Sequence, residues 1–284
     1  NIFDGDFNFL GFFMNLVKVF ELYGDYIFDF KRKIEYKVIK YKKPNPSKKN
    51  LVIFHEYEDF SEIRLKKVKN LKYYCGHAPV FDAIGSFNAY KVLTIASGNH
   101  IGRLEKYYSL FDLVIITNNI AQDFGGYFSA FKELKNRGLV FNNVTILNSS
   151  QYLEKKELVR FFDCELKLGS FIGISYAYGP NFILFKHFHL QSYLLKYKYK
   201  DLMEIFSKNF TLDCFYSSKY SLINKAEVKL SQLSLNHGLK PFLFEKNSIC
   251  SLDFKKIKIL SKDARLCSKF TWKEKFTHSN NLRK

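Results

Sequence analysis

Polar and ionisable residues follow four consecutive apolar runs in the first half of the sequence. Each run is short and β-prone, which predicts a buried strand. The polar segments after the runs are His55-Glu56, Ser97-Gly98-Asn99-His100, Asn118-Asn119 with Asp123, and Asn148-Ser149-Ser150. Such side chains can hydrogen-bond a polar ligand, and the ionisable ones can also transfer a proton. Ligands of doubly wound sheets bind beyond the carboxyl ends of the strands, so these segments are candidates for one binding site.

The elements that must position these residues alternate between strand and helix. The predicted strands cover residues 51–54, 90–96, 113–116 and 144–147, and the predicted helices cover 60–70, 101–110 and 124–136. Such alternation implies a mostly parallel sheet with helices on both faces and right-handed crossovers. The sequence therefore predicts an α/β fold.

After Ser150 the alternation becomes less regular, and we expect a mixed, mostly helical C-terminal part. Helices are predicted at 153–161, 188–198, 200–209 and 224–238, and a strand at 171–177. Pro44 and Pro46 cannot continue a helix or a central strand, which favours a linker at 43–50. The predicted division is a basic helical lead-in and linker at 1–50, a main domain at 51–250 and a basic tail at 251–284.

The chain is strongly basic, and the excess charge is concentrated in two segments. It contains 45 Lys and Arg against 27 Asp and Glu, a formal net charge of +18. Residues 31–50 hold nine basic residues and one acidic residue, and residues 253–284 hold ten and three. An anionic membrane surface, a lysine-rich background without a particular partner, and nucleic acid would each explain this pattern. Nucleic acid is the least favoured, because the sequence has no helix-turn-helix, KH, RNP-type or zinc-ligand signature.

Cysteine usage and hydropathy predict a cytoplasmic protein that does not span a membrane. The five cysteines are scattered and form no Cys-x-x-Cys pair, which argues against a disulfide framework or a zinc ribbon. The apolar stretch at 7–20 contains Asn8, Asn15 and Lys18. It is shorter than the roughly 20 apolar residues that a bilayer span needs. Any contact with a membrane is therefore expected to be peripheral.

Five short segments occur in a recognisable order. They are Tyr90-Lys-Val-Leu-Thr-Ile-Ala-Ser-Gly98, Asp112-Leu-Val-Ile-Ile-Thr-Asn-Asn-Ile-Ala-Gln-Asp-Phe-Gly-Gly-Tyr127, Val144-Thr-Ile-Leu-Asn-Ser-Ser150, His189-Leu-Gln-Ser-Tyr193, and Glu227-Val-Lys-Leu-Ser231 with Gly238. In this order they resemble the rhamnan synthesis protein F family of bacterial polysaccharide glycosyltransferases, over residues 51–240. The resemblance implies a GT-A-like fold. It also implies transfer of a sugar, such as rhamnose or another deoxyhexose, from a nucleotide-sugar donor to a cell-surface polysaccharide or lipopolysaccharide.

The resemblance further implies roles for individual residues. The candidates for binding the donor are Asn119, Asp123, Asn148, Ser150 and Gln191, which lie in the matching segments, and His55 and Asn99, which are chosen for their positions after predicted strands. Glu227 and His189 are implied to be catalytic, because inversion at the sugar needs a group that accepts the proton of the acceptor hydroxyl. The implied partners are the donor, a glycan or lipid-linked acceptor, and the anionic inner face of the membrane where such an acceptor lies.

Several of these roles have a plainer alternative. Asp123 is also suited to be the N-cap of the 124–136 helix. Glu227 could be a solvated carboxylate on an amphipathic helix. His187 and His189 could be a metal-binding pair, but no third ligand is identifiable. On the predicted 188–198 helix, Gln191 would point away from the face that carries His189.

Two residues depart from the family pattern. Ala121 stands where the family has glycine, which matters if the position requires a positive φ. Ser149 replaces the aspartate of an Asn-Asp-Ser turn, so Asn148 and Ser150 offer a cation only neutral ligands. We therefore expect Mg²⁺ or Mn²⁺ to be bound weakly and see no residues that would form a metal site of their own. Because Ser149 lacks the carboxylate, the alternative is that the protein is a catalytically weak relative of such enzymes that only binds glycan or scaffolds an assembly.

Overall fold

A nine-stranded sheet forms the centre of the computed structural model. The structure describes residues 30–56, 62–68, 71–97, 101–151, 153–178, 188–245 and 249–252, and the structural statements below concern these residues. The strands are β1 (Arg32–Lys33), β2 (Tyr36–Tyr41), β3 (Asn50–Glu56), β4 (Arg64–Val68), β5 (Leu71–Cys75), β6 (Tyr90–Ala96), β7 (Leu113–Thr117), β8 (Asn143–Asn148), β9 (Ser170–Gly173), β10 (Tyr176–Tyr178), β11 (Phe188–Leu190), β12 (Leu194–Lys198), β13 (Cys214–Phe215), β14 (Lys240–Phe244) and β15 (Ile249–Ser251).

The helices lie mostly in the connections between these strands. They are α1 (Ala78–Ser86), α2 (Gln122–Asn136), α3 (Lys155–Asp163), α4 (Tyr199–Asn209), α5 (Lys219–Leu222) and α6 (Lys229–Asn236). A 3₁₀ helix covers Ile101–Leu110. A π-helical segment, Ile223–Val228, joins α5 to α6, so that residues 219–236 form one continuous helix.

The order of strands across the central sheet is β15-β14-β9-β12-β8-β3-β6-β7-β2. Strands β8, β3, β6 and β7 are parallel neighbours, and β14 is parallel to β9. Strands β2, β12 and β15 run antiparallel to their neighbours, so six of the nine strands share one direction. This sheet confirms the predicted α/β class. The strand order reverses between β3 and β8, because β6 and β7 lie on one side of β3 and β8 lies on the other.

Helices cover both faces of the sheet, as the sequence predicts. Leu51 and Ile53 of β3 belong to one core cluster, which also contains apolar residues of α2 and α4. Val52 and Phe54 of the same strand belong to a second cluster, which contains residues of α1 and α3. Because successive side chains of a strand point to opposite faces, a continuous apolar run such as 51–54 supplies both clusters.

Most predicted elements in the parallel region are confirmed with small shifts of their ends. The strands predicted at 51–54, 90–96, 113–116 and 144–147 correspond to β3, β6, β7 and β8. The helix predicted at 124–136 corresponds to α2. The helix that contains α6 ends before Gly238, whose φ of +83° is the left-handed conformation expected of a C-terminal stop. No helix among the described residues is long and apolar enough to cross a membrane.

Three predicted helices are wrong. Within the predicted 60–70 helix, residues 64–68 form β4, which pairs with β5 as an antiparallel hairpin. Within the predicted 188–198 helix, residues 188–190 and 194–198 form β11 and β12. β12 lies between β8 and β9, and its residues 194–197 are buried one after another, so side chains on both faces of the strand are covered. Burial on both faces explains an apolar run without helical spacing. In the predicted helical lead-in, residues 36–41 form β2, an edge strand of the central sheet.

The segment predicted to be a linker, 43–50, connects β2 to β3 within this one sheet. Lys48 forms an ion pair with Asp112, with 2.9 Å between Nζ and Oδ2. The backbone N–H of Asn142 donates to the carbonyl of Lys49 at 2.7 Å. The C-terminal tail predicted at 251–284 lies almost entirely outside the described residues, so the boundary near 250 stays a prediction.

A close approach of α2 to the sheet depends on two consecutive glycines. A Cβ on Gly126 would lie 2.1 Å from His55 Nδ1 and 2.6 Å from Thr94 Oγ1. A Cβ on Gly125 would lie 1.8 Å from the carbonyl oxygen of Ile120. Gly126 therefore lets the start of α2 pack directly on the ends of β3 and β6, and Gly125 lets the preceding turn fold back against the helix.

We expect Gly126→Ala to destabilise the fold by about 1–3 kcal/mol, because the added methyl must displace a buried imidazole or α2 itself. Denaturant titration of the purified variant measures this loss. Gly102→Ala is the matched control, because a Cβ at Gly102 meets nothing within 4 Å. Equal unfolding free energies for the two variants would show that α2 does not need this close contact.

Candidate functional site

The candidate site lies at the carboxyl edge of the parallel strands, between β3 and β8. This is the point where the strand order reverses, and loops from both directions converge there. β3 ends in His55-Glu56, and β8 ends in Asn148. The chain enters β12 at Leu194 from the same edge, because β12 runs antiparallel to β8.

Asp123 is the hydrogen-bonding centre of this site. Its Oδ2 accepts from Asn148 Nδ2 at 3.1 Å and from Ser192 Oγ at 2.9 Å. The predicted N-cap role for Asp123 is wrong, because the N-cap residue of α2 is Ala121 and Asp123 lies inside the first helical turn. A carboxylate in that turn also interacts favourably with the helix dipole.

Glu227 contacts the same residue, Ser192, as Asp123 does. Its Oε1 accepts the backbone N–H of Ser192 at 2.6 Å, so Ser192 contacts both carboxylates. His189 Nε2 lies 3.9 Å from Glu227 Oε2, and both side chains are largely buried. Glu227 belongs to the π-helical segment, a distortion that often occurs at functional sites. The alternative of a solvated Glu227 is wrong, since only 14% of its side chain is exposed.

Burial and the proximity of the two carboxylates disfavour the charged form of Asp123. The pKa of Asp123 is raised from 3.8 to about 6, first by burial and then by the negative charge of Glu227. The hydrogen bonds from Ser192 and Asn148 oppose this increase. A carboxyl group with a pKa close to neutral pH is suited to exchange a proton during a reaction.

The other predicted donor-binding residues lie at the same edge, but their side chains contact the protein itself. His55 is fully buried, its Nδ1 lies 2.9 Å from Thr94 Oγ1, and burial lowers its pKa to about 3. The buried Ser150 donates its backbone N–H to Asn148 Oδ1 at 2.9 Å. Gln191 Oε1 accepts from Ser175 Oγ at 2.9 Å.

Asn119 and Asn99 complete the set of predicted residues. Asn119 is exposed and has a φ of +54°. Asn99 lies outside the described residues, as does His187 of the alternative metal pair. His189 is on strand β11, opposite Ala177, so the helical-face argument about His189 and Gln191 is wrong. The structure thus brings together Asp123, Asn148, His189 and Glu227 from the predicted set.

Sequence reasoning did not assign a role to Ser192, although it contacts both carboxylates. The signal in the sequence is its position within the His189–Tyr193 segment, beside the candidates His189 and Gln191. Ala121 shows the opposite case, because its backbone conformation is visible as a departure in the sequence. Its φ of +64° is left-handed, the conformation in which glycine would be unstrained. Neighbouring Gln122 also has a positive φ, +47°, so the start of α2 is a strained turn.

Ser149 and Glu56 form a second, fully buried network beside the site. Ser149 Oγ donates to Glu56 Oε1 at 2.6 Å, and His77 Nδ1 lies 3.4 Å from Glu56 Oε2. The Ser149 carbonyl accepts the backbone N–H of Gly76 at 2.9 Å, which ties the end of β8 to the end of β5. A carboxylate is therefore present next to position 149, although the residue at 149 is serine.

The described residues offer a cation at most two carboxylates at this site. No group of three or more His, Cys, Asp or Glu side chains that could hold a metal ion occurs among them. Asp123 and Glu227 are hard oxygen donors. Burial and, second to it, repulsion by Glu227 raise the pKa of Asp123, and a divalent cation would relieve the repulsion. Such a cation would need most of its ligands from a bound substrate.

Comparison with known proteins finds distant structural likenesses, which include the following two. No protein-family model and no curated protein matches the chain. A 4-diphosphocytidyl-2C-methyl-D-erythritol synthase shares 11% identity with a TM-score of 0.41, over 75% of this chain and 96% of that chain. A protein described as a nucleotide-diphospho-sugar transferase, from Desulfovibrio desulfuricans G20, shares 12% identity with a TM-score of 0.33, over 67% and 75%. At such low scores neither likeness bears on the chemistry of the site.

The raised pKa of Asp123 predicts a specific pH dependence of stability. In the folded protein Asp123 stays protonated up to a pH of about 6, whereas in the unfolded chain it loses its proton near pH 3.8. Asp123 therefore stabilises the fold at low pH, and this contribution is lost as the pH rises from about 3.8 to about 6. We expect Asp123→Asn to remove this effect. The unfolding free energy of the wild type relative to the variant should fall by about 2 kcal/mol between pH 4 and pH 7.

Denaturant titrations at several pH values measure that difference. Asp82→Asn, at an exposed position of α1, is the control and should give a flat difference. If the unfolding free energy of the wild type relative to Asp123→Asn increased with pH, the folded protein would stabilise the charged form of Asp123. That result would contradict the effect of burial and of Glu227 on this carboxylate.

The buried hydrogen bond between Ser149 and Glu56 predicts that an aspartate is not tolerated at position 149. Ser149→Asp would place a second carboxylate against Glu56 without solvent, which should cost about 3–5 kcal/mol of unfolding free energy. Thermal and denaturant unfolding measure the loss, with Ser207→Asp at an exposed position of α4 as control. A stable Ser149→Asp variant would show that the network opens to water or to a cation.

Proposed function

We propose that the protein is a nucleotide-sugar-dependent glycosyltransferase with a GT-A-like fold. The observation that carries the proposal is the convergence of Asp123 and Glu227 on Ser192 at the reversal of strand order. Sugar transfer needs groups that hold donor hydroxyls and a group that accepts the acceptor proton. Two inward-facing carboxylates with an imidazole beside them meet both needs.

In this proposal Asp123 and Asn148 bind the donor. Their mutual hydrogen bond orients the carboxylate and the amide toward the carboxyl edge of the sheet. Carboxylate and amide groups can bind ribose or sugar hydroxyls, and the positive end of the α2 dipole favours an anionic ligand there. His55, fully buried beneath α2, supports this region rather than touching the donor.

Glu227 is the proposed base, and His189 beside it is the proposed positioning residue. The acceptor hydroxyl transfers its proton to the Glu227 carboxylate as its oxygen forms a bond to the anomeric carbon. The bond between that carbon and the donor diphosphate breaks, and the diphosphate leaves with the electron pair. The hydrogen bond from the Ser192 N–H holds Glu227 Oε1, which leaves Oε2 on the side of His189.

A divalent cation is proposed to act only as a weakly held partner of the donor. Mg²⁺ or Mn²⁺ would neutralise charge on the departing diphosphate. Asp123 and Glu227 are the residues that would hold it, with donor phosphates supplying the remaining ligands. The sequence turn 148–150 would contribute no anionic ligand, because Ser149 stands in place of an aspartate.

The sugar, acceptor and location are proposed from the family resemblance. They are rhamnose or another deoxyhexose, a cell-surface polysaccharide or its lipid-linked precursor, and the inner face of the membrane. The basic segment 31–50 supports electrostatic attraction to an anionic surface. Two of its lysines are engaged within the fold, since Lys48 pairs with Asp112 and Lys40 Nζ donates to the Tyr108 carbonyl at 2.7 Å. The remaining basic residues would provide that attraction.

Donor binding and turnover test the proposal. Nucleotide sugars with different bases are titrated calorimetrically with and without Mn²⁺, and slow hydrolysis of the bound donor is followed without acceptor. We expect Glu227→Gln to lower turnover by about 10²–10⁴-fold, because the neutral amide cannot accept the proton of the acceptor hydroxyl. Donor affinity measured without Mn²⁺ should change little. Glu165→Gln, exposed after α3, is the matched control and should behave like the wild type.

The possible results separate the two candidate functions. Donor binding without any hydrolysis or transfer would favour the glycan-binding relative that the Ser149 departure allows. No binding of any nucleotide sugar would overturn the proposal. Unchanged turnover in Glu227→Gln would remove Glu227 from the base role, and Asp123 would then be the next candidate.

A further inference from the structure

Two strongly exposed apolar side chains lie at the amino edge of the central sheet, where its parallel strands begin. Leu168 precedes β9 and is 92% exposed, and Val140 precedes β8 and is 78% exposed. They are the two most exposed large apolar side chains among the described residues. Single apolar side chains are ordinary on a protein surface, but two at one edge can form part of a contact with another apolar phase.

Backbone hydrogen bonds hold both loops in place. The Leu139 N–H donates to the Leu134 carbonyl at 3.0 Å, directly after Gly138, whose φ of +65° is left-handed. Gly169 has a φ of +68°, and its carbonyl accepts the Lys240 N–H at 2.8 Å. The exposure of the two apolar side chains is therefore a feature of hydrogen-bonded loops.

Lysines alternate with the two apolar side chains along this edge. Across the neighbouring strands β14, β9, β12, β8 and β3, the residues at or next to the edge are, in order, Lys240, Leu168, Lys198, Val140 and Lys49. β12 contributes its last residue, because it runs antiparallel to β8 and β9. Neighbouring strands lie about 4.8 Å apart, so the two apolar loops are about 10 Å apart with a lysine between them.

The charged groups described at this edge favour an anionic partner. They are seven basic and three acidic residues, which occur at 49, 135–142, 163–169, 198–201 and 240. Arg137 forms an ion pair with Glu133, and the other six basic residues are lysines. Lysine can bury its aliphatic stem in an apolar layer while its ammonium stays among polar groups at the surface. The edge thus combines exposed apolar side chains with charges that complement anionic lipid headgroups.

We propose that the amino edge contacts an anionic lipid bilayer and that Leu168 and Val140 insert between its headgroups. The two side chains form no continuous apolar face, whereas a stable interface with another protein buries about 1,000 Å² or more around an apolar core. A bilayer does not need such a face, because its headgroups rearrange around each side chain. The proposal rests on the membrane location in the proposed function, and it does not involve the transfer chemistry.

This contact would also orient the candidate site. The site lies at the carboxyl edge, and β3, which connects the two edges, has seven residues. At about 3.3 Å per residue, the site would lie about 20 Å from the lipid surface. A lipid-linked acceptor would have to present its reacting sugar at that distance. The proposal therefore favours an acceptor that already carries several sugars.

Flotation of the full chain with phosphatidylglycerol vesicles tests the proposal, with phosphatidylcholine vesicles as the neutral reference. Val140→Gln/Leu168→Gln should bind phosphatidylglycerol vesicles about tenfold or more weakly, because two apolar side chains no longer leave water on binding. Ile63→Gln/Leu65→Gln is the matched control, since it removes two exposed apolar side chains near the carboxyl edge. The control should bind like the wild type.

Tryptophan fluorescence measures insertion separately from attraction. Leu168→Trp should be quenched by lipids that carry bromine on their acyl chains, and Ile63→Trp should not. Trp272 is present in both variants, so the wild type supplies the background signal. Thermal unfolding of each variant confirms that it is folded.

Three results would overturn the proposal. The first is no binding of the wild type to phosphatidylglycerol vesicles, and the second is equal vesicle affinity of the two glutamine variants. The third is equal quenching of the two tryptophan variants, which would show that residue 168 does not enter the lipid. Loss of self-association in Val140→Gln/Leu168→Gln with unchanged vesicle binding would assign the edge to a second copy of the chain instead. All measurements are made without donor or acceptor, so failure of the proposed transferase activity would not change their outcome.

Discussion

The contact of Gly126 with His55 and Thr94 determines where the site can form. Because no side chain separates α2 from the sheet at this point, the first turn of α2 lies directly over the ends of β3 and β6. Asp123, one turn earlier on α2, is thereby brought to Asn148 at the end of β8. The imidazole beneath the helix is neutral, since burial lowers the pKa of His55 to about 3. A charged imidazole in that position would be strongly disfavoured by desolvation. The neutral His55 ring therefore packs beneath the helix that carries the Asp123 carboxylate.

Two costs in free energy are concentrated at this end of α2. Asp123 is held near Glu227 in a buried setting, and the pKa of Asp123 increases as a result. Ala121 and Gln122 both adopt left-handed backbone angles immediately before it. Neither feature improves the stability of the fold, and local costs of this kind are typical of places that bind or transform a ligand. The structure therefore supports the same location for the site as the reversal of strand order does.

The parallel strands could be predicted from sequence because each is a continuous apolar run buried on both faces, as in β3. The same rule failed for β12, where Leu194, Leu195 and Tyr197 are all buried but lysines at 196 and 198 interrupt the apolar run. In the site, the residues directly after a strand, such as Asn148, were found by position alone. Ser192 was not, because its importance arises only from the pairing of β12 with β8, a contact between distant parts of the chain.

Glu56 and Glu227 each place a carboxylate near the candidate site, but they differ in exposure. Glu56 supplies a carboxylate 2.6 Å from the Ser149 hydroxyl, but that carboxylate is fully buried and lies against His77. It cannot meet a ligand without a rearrangement of β5 and β8, which the Gly76–Ser149 backbone bond holds together. Glu227, by contrast, has 14% of its side chain exposed. Of these carboxylates, Glu227 is therefore open to a substrate from solvent, and Glu56 anchors the strand ends beneath the site.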